Sequence, residues 1–368
     1  MKYRPLLIVA ILLASAFSGC SLDDEALKLK FEGYAPEPLN DGWEISTPEA
    51  EGFDRGKIDN VYETFFSEKL YPTLHSLLIV RNGKLVAEAY CRDKNDIDNY
   101  HPLQSATKSI TSILMGIAID KGLIDSVYTP IYHFIPEYFD NDTRKQAITI
   151  HHALTMTTGL QFDNDSLDVS EMMYYPGNSL EFVLHRNLEF YPGTDFHYHD
   201  GNPQLISGVI QKVSGMTLEE FAVENLFHPL GINHYQWEKC ADGRTLGAAG
   251  LWLRPRDMAK IGKLMIQNGM WNGKQIVSAE WVAQSTKIYA RGDEIYARGD
   301  YGYYWWIWQS RNAFQASGHG GQYIYIIPDR NLVIIMTADT YIRYDDSGKI
   351  ILGFYSPVFD DIANAIIE

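Results

Sequence analysis

Ser105 and Lys108 stand three residues apart at the head of "LQSATKSITSILMGIAIDKG" (103–122). Behind them Ile110, Ile113, Leu114, Ile117 and Ala118 recur at the spacing of a buried helix. Positions i and i+3 share a helix face, so an ammonium one turn on reaches a serine hydroxyl. Serine is a poor nucleophile until a neighbouring base takes its proton, and a lysine serves if burial lowers its pKa. The first helical turn also aims backbone N–H groups at a developing oxyanion. The spacing therefore predicts Ser105 as a nucleophile and Lys108 as its internal base. On its own an S-x-x-K pattern is too common to decide the matter.

Two further segments join it. "YPGTDFHYHDGNPQLISGVI" (191–210) sets Tyr198 in a loop after Pro192-Gly193 and ahead of a new helix. "SGHGGQYIYII" (317–327) sets His319, Gly320 and Gly321 at the entry to a strand. Glycines there admit a close backbone approach and leave the Gln322 N–H free to donate. Asp200, just before "GNPQLISGVI", suits a place in the site or a helix N-cap equally well. His197 and His199, with His185, raise the question of zinc, but no H-E-x-x-H pattern or cysteine companion accompanies them. The chemistry so read needs neither metal nor cofactor.

Taken in order, Ser105-Ala106-Thr107-Lys108, Tyr198-His199-Asp200 and His319-Gly320-Gly321 resemble the serine β-lactamase and penicillin-binding-protein superfamily. The likeness is to its class-C-like branch, which also holds esterases, D-aminopeptidases and aminohexanoate-oligomer hydrolases. "SLLIVRNGKLVAEAY", "ITIHHALTMTTGL" and "GLWLRPRDMAKIGKLMIQNGMWNGKQIV" extend it over residues 45–368. The resemblance implies that Ser105 is acylated, that Lys108 activates it, and that Tyr198 shuttles the proton to the leaving group. It implies an oxyanion hole of the Ser105 and Gln322 N–H groups, with His319, Gly320, Gly321 and Asp200 facing the substrate.

Two departures bear on the substrate. Asp200 stands where the family carries Asn or Ser; ionised, it cannot donate to an acyl amide, though it can hold Lys108 protonated or orient a nearby donor. H-G-G replaces K-T-G, removing the fixed positive charge and hydroxyl that grip a carboxylate. The expectation is a serine hydrolase acting on a small neutral ester or amide. The alternatives are a D,D-peptidase or weak β-lactamase, and a non-catalytic binder of cell-wall peptides on the same fold.

The elements that must hold these residues are legible in outline. "SLLIVRNGKLVAEAYC" (76–91) reads as a hairpin around Asn82-Gly83, and "QYIYIIPDRNLVIIMTA" (322–338) as a second around Pro328-Asp329. "YGYYWWIWQS" (301–310) reads as a further strand, in which Tyr303 or Trp306 could line an acyl pocket. Helices are expected over 105–121, 149–157, 201–214, 217–226 and 255–268, with an amphipathic one in "VFDDIANAIIE". The simplest assembly is α+β with a β-lactamase-like fold: a central antiparallel sheet from both chain ends, flanked by helices, with a mostly helical lobe inserted over about 125–255. The tyrosines of "YYPGN" (174–178) fall in a long loop placed to cover the site. The tandem "IYARGDEIYARGD" (288–300) reads as a duplicated surface loop or strand edge.

The chain start tells of location. Lys2 and Arg4 precede an apolar run from Leu6 to Phe17, and "AFSGC" resembles a bacterial lipobox ending in Cys20. Residues 1–20 are thus expected to be a lipoprotein signal, 21–44 a tether and 45–368 the hydrolase domain, exported across the inner membrane and lipid-anchored through Cys20 in the cell envelope. Losing Lys2 and Arg4 takes the net charge from −16 to about −18. Such an acidic balance without a basic patch excludes nucleic acid as a partner class. Cys91 and Cys240 lack the spacing of a zinc site, and a single disulfide between them is left open.

Overall fold

A computed structural model describes residues 28–67, 73–164, 168–291, 299–340, 343–344, 350–351 and 356–367. Residues 1–27, with the expected leader and Cys20, and residues 292–298 of the tandem segment lie outside the described residues.

The strands are β1 (Leu74–Arg81), β2 (Lys84–Tyr90), β3 (His101–Pro102), β4 (Tyr235–Trp237), β5 (Leu251–Leu253), β6 (Met270–Trp271), β7 (Lys274–Gln275), β8 (Asp300–Tyr301), β9 (Trp306–Trp308), β10 (Ala313–Gly318), β11 (Gln322–Ile327), β12 (Leu332–Ala338), β13 (Arg343–Tyr344) and β14 (Ile350–Ile351). The helices are α1 (Arg55–Phe65), α2 (Thr107–Asp120), α3 (Ile150–Leu154), α4 (Asp168–Tyr174), α5 (Ser179–Leu184), α6 (Gly201–Ser214), α7 (Leu218–Ala222), α8 (Pro255–Ile266), α9 (Ala279–Ser285) and α10 (Ser356–Asn364).

A seven-stranded antiparallel sheet runs in the order β2-β1-β12-β11-β10-β9-β8, so both ends of the chain build it, as expected. Asn82 and Gly83 close the first hairpin with φ of 52° and 78°, the left-handed pair that matches the twist of the flanking strands. Both sheet faces are buried. Leu77, Ile79, Tyr325, Ile334 and Met336 pack with α1 and α10, whereas Leu78, Val80, Ile324, Val333 and Ile335 turn to the other side with α8 and α2. That double burial is why the strands read as unbroken apolar runs. Gly262 of α8 lets the helix settle on Val333, whose side chain fills the space a Cβ would take.

Three elements depart from the expected bounds. "YGYYWWIWQS" is not one strand: only Trp306–Trp308 pairs with β10. Tyr304 turns left-handed at φ 62° and its carbonyl accepts the Ser109 hydroxyl at 2.5 Å, which breaks the extended run. The helix over 149–157 stops at Leu154, started by a Thr149–His152 capping box and ended before Met156 at φ 60°. After α7 the chain continues through one π-helical turn, Val223–Phe227. α1, capped by Asp54 accepting from the Lys57 amide at 3.0 Å, and β10 were not anticipated.

Candidate active site

Ser105 sits in a short 3-10 turn, Gln104–Ala106, that feeds α2. Gln104 before it is left-handed at φ 49°, a conformation that a non-glycine residue holds only when its surroundings impose it. Those surroundings are visible. The Leu103 amide donates to Leu251 O at 2.8 Å, and the Ala106 amide to Leu103 O at 3.0 Å. From the sheet side, Gly318 lies so close that a Cβ there would overlap the Leu103 carbonyl oxygen. Ser105 remains partly exposed while Lys108, one turn on, is 1% exposed.

Lys108 Nζ lies 2.8 Å from Ser105 Oγ, 2.8 Å from Asp200 Oδ1 and 3.1 Å from Ala248 O. These oxygens suit the N–H donors of an ammonium, which the Tyr198 side chain also reaches. Burial pushes the lysine pKa down, but the Asp200 carboxylate, with Tyr198 adding to it, outweighs burial and holds the pKa above its ordinary value. With that shift, Lys108 donates to Ser105 in the free protein.

Asp200 occupies the residue before α6, yet its side chain makes no capping bond. It faces Lys108 instead. Asn164 locks it there, accepting from the Asp200 amide at 2.9 Å and donating to Asp200 Oδ1 at 3.0 Å. Tyr198 lies half-buried beside the same ammonium, 5.0 Å from ring centroid to Nζ, and stacks on Trp306 with centroids 5.6 Å apart. Between them His199 points into the core, fully buried, stacked on Phe162 at 5.2 Å. Burial, then the charges of His197 and Lys108, holds it neutral. Side chains 198 and 200 thus reach the site while 199 anchors the loop.

The third segment closes the other side. Gly320 and Gly321 turn at φ 86° and 113°, and a Cβ on Gly320 would overlap Asp339 O. Gln322 opens β11 fully buried; its side chain clamps the Ala338 peptide, donating to Ala338 O at 2.6 Å and accepting from Ala338 N at 3.3 Å. The Ser105 turn packs against β10 and β11, so the three sequence segments converge.

Residues 75–347 match the beta-lactamase family. The chain belongs to the beta-lactamase family. It is 24% identical over 233 residues to the 6-aminohexanoate-dimer hydrolase of Paenarthrobacter ureafaciens, covering 56% of this chain and 55% of that protein. The match therefore spans about half the length of that relative. Among solved structures, a family VIII carboxylesterase superposes with a TM-score of 0.66 at 17% identity, over 88% of this chain and 99% of the other. A penicillin-binding protein of Bacillus halodurans superposes with a TM-score of 0.62 at 18% identity, over 83% and 98%. The match makes this protein a hydrolase of the beta-lactamase family with that family's fold.

Within that frame, His319 lies exposed in the β10–β11 turn, just ahead of β11. Trp306 reaches Tyr198, whereas Tyr303 turns away to stack on Tyr289 at 4.5 Å and to bond His151 Nδ1 at 2.9 Å. Tyr174 is exposed and Tyr175 leans on Phe182 at 5.4 Å; no contact of either with the Ser105 group is seen among the described residues. His185, His197 and His199 form no three-ligand group among the described residues. Cys91 and Cys240 are separate, buried free thiols. Asn164 and the Ala248 carbonyl were missed by sequence reasoning: the first is a lone loop residue, and the second carries no side-chain signal.

Proposed function

We propose that the protein cleaves a small neutral ester or amide through an acyl-enzyme on Ser105. The observation that carries this is the buried Lys108 ammonium, held by Asp200 and donating to the partly exposed Ser105 hydroxyl. An ammonium at that oxygen stabilises negative charge as Ser105 attacks. With Lys108 already protonated, Tyr198 relays the proton: its phenol receives the seryl proton as its own passes to the departing alcohol or amine, beside the same ammonium. Water then repeats the sequence to free the acid. The amides of Ser105 and Gln322 receive the oxyanion. The Gly320–Gly321 turn supplies no fixed cation, which supports a neutral acyl group over a carboxylate-bearing peptide. Cys20 would carry the lipid that tethers the enzyme in the envelope.

The test compares nitrophenyl esters from acetate to octanoate with the full chain and Ser105→Ala. Turnover by the first and none by the second is expected, with a serine-directed phosphonate adding one adduct mass on Ser105. Equal inactivity and no adduct would remove the proposal. Stable Ser105-dependent capture of a labelled penicillin with no ester turnover would replace it by a D,D-peptidase or weak β-lactamase reading.

A further inference from the structure

Behind the wall that joins the nucleophile turn to the Gly320 turn lies a group that the hydrolytic chemistry does not use. His75 comes from β1, Asp96 from the 3-10 turn Lys94–Ile97, and His101 from β3. Their ligand atoms lie within 4.8 Å of one another. His75 Nδ1 is 3.1 Å from Asp96 Oδ2, and His101 Nε2 is 3.6 Å from Asp96 Oδ1. The second separation is too long for a hydrogen bond. His101 is 6% exposed, and its Nε2 has no hydrogen-bond partner among the described residues. His101 Nε2 thus faces the carboxylate at ion-pair distance but outside hydrogen-bond reach, which leaves room for a cation shared between them.

Zinc fits the interval. Zinc–nitrogen and zinc–oxygen bonds of about 2.0–2.2 Å place tetrahedral ligands roughly 3.3 Å apart, between the two measured separations. The outer shell is also in place. His75 Nε2 lies 2.9 Å from Asp339 Oδ1, and Asp339 Oδ2 pairs with Arg92 Nη2 at 3.3 Å. Asn99 Nδ2 donates to Asp96 Oδ1 at 3.1 Å. A carboxylate on the far nitrogen of a ligating histidine fixes the ring and its tautomer. Two imidazoles with one carboxylate favour a borderline cation over the all-oxygen shells of magnesium and calcium.

We propose that His75, Asp96 and His101 bind one zinc ion, with Asp339 as the supporting carboxylate. The ion would be a clamp, not a participant in ester cleavage. It ties β1 and the 93–99 turn to β3, two residues before Leu103, whose carbonyl abuts Gly318. Asp339, bonded to His75, meets Gly320 from the other side. The site stands on residues separate from Ser105, Lys108 and Tyr198, so it holds or fails independently of the acyl-enzyme reading.

The experiment titrates zinc into chelator-stripped full-length protein against a chromophoric chelator, and records the visible spectrum with cobalt(II). Expected are one zinc per chain and an intense tetrahedral cobalt band. Asp96→Asn and His101→Gln should each weaken zinc at least 100-fold, and Asp339→Asn about 10- to 100-fold. His197→Gln, elsewhere in the chain, should leave it unchanged. Far-UV circular dichroism checks that each variant is folded, and the near-isosteric Asp96→Asn stands in if His101→Gln is not. No zinc bound, zinc bound equally by the Asp96 and His101 variants, or preference for magnesium or calcium would each overturn the proposal.

Discussion

With Asp200 at 2.8 Å and burial all round, Lys108 meets the substrate as a cation, and Asp200 decides this more than Lys108 does. Asp200→Asn keeps the shape and removes the anion, leaving burial to act alone on the lysine. Its pKa then falls, each unit being about 1.4 kcal/mol of lost preference for the charged form. The expected outcome is a kcat/KM at least 10-fold lower, with the alkaline limb of its pH profile moved to lower pH. If Lys108 worked as a free base, the same change would raise the rate near neutrality, so the sign decides. Much of this was legible in the sequence. Ser105 and Lys108 are tied by helix spacing, and Tyr198 by the resemblance of its motif to the serine β-lactamase superfamily. The role of Asp200 was legible only as an option, because an N-cap and an ion pair ask for the same residue type. The three-dimensional approach of α6 to α2 chose between them.

At the scale of elements, the site depends on how closely β10 and the turn before α2 can meet. Gly318 has no room for a methyl group, since the Leu103 carbonyl oxygen already fills that space. Gly318→Ala must push the Ser105 turn away from the strand that precedes Gln322. A displacement near 1 Å at a reacting group costs about 100-fold, so kcat/KM should fall by about that factor while far-UV circular dichroism is retained. Gly243→Ala is the control. That residue is left-handed at φ 79° with open space around it, so only backbone strain of about 1–2 kcal/mol is expected, read as a lower urea midpoint with unchanged kcat/KM. Elements built from strong local signals were read correctly, notably the Asn82-Gly83 hairpin and α6. The run "YGYYWWIWQS" was misread because its aromatics have strand propensity, whereas its conformation follows from a contact between Tyr304 and Ser109 that no local pattern carries.

Across the whole molecule, the sheet collects both chain ends and a buried arginine fastens the N-terminal segment to it. Arg256 of α8 is 1% exposed; its guanidinium bonds Glu88 of β2 at 2.5 and 2.8 Å, Asp41 at 2.8 Å and Glu37 O at 2.7 Å. Arg256→Met strands Glu88 without its partner and should cost about 3–5 kcal/mol in urea unfolding. Charge burial of the opposite kind sets the acid limit of the fold. His199 is held neutral well below its ordinary pKa by burial, and His151 is lowered to about 4 by burial and then by His152. Unfolded, both titrate near 6.5. Below that pH the unfolded chain binds protons that the folded chain refuses, so this contribution is intact above about 6.5 and is lost as pH falls toward the folded values. A single fully buried histidine gives a slope of up to about 1.4 kcal/mol per pH unit. Urea midpoints should therefore drop between pH 6.5 and 5. In His199→Gln the drop should lessen by up to that slope, because the glutamine amide does not titrate in either state. An undiminished drop in the variant would show that His199 is not the neutral anchor of the loop carrying Tyr198 and Asp200.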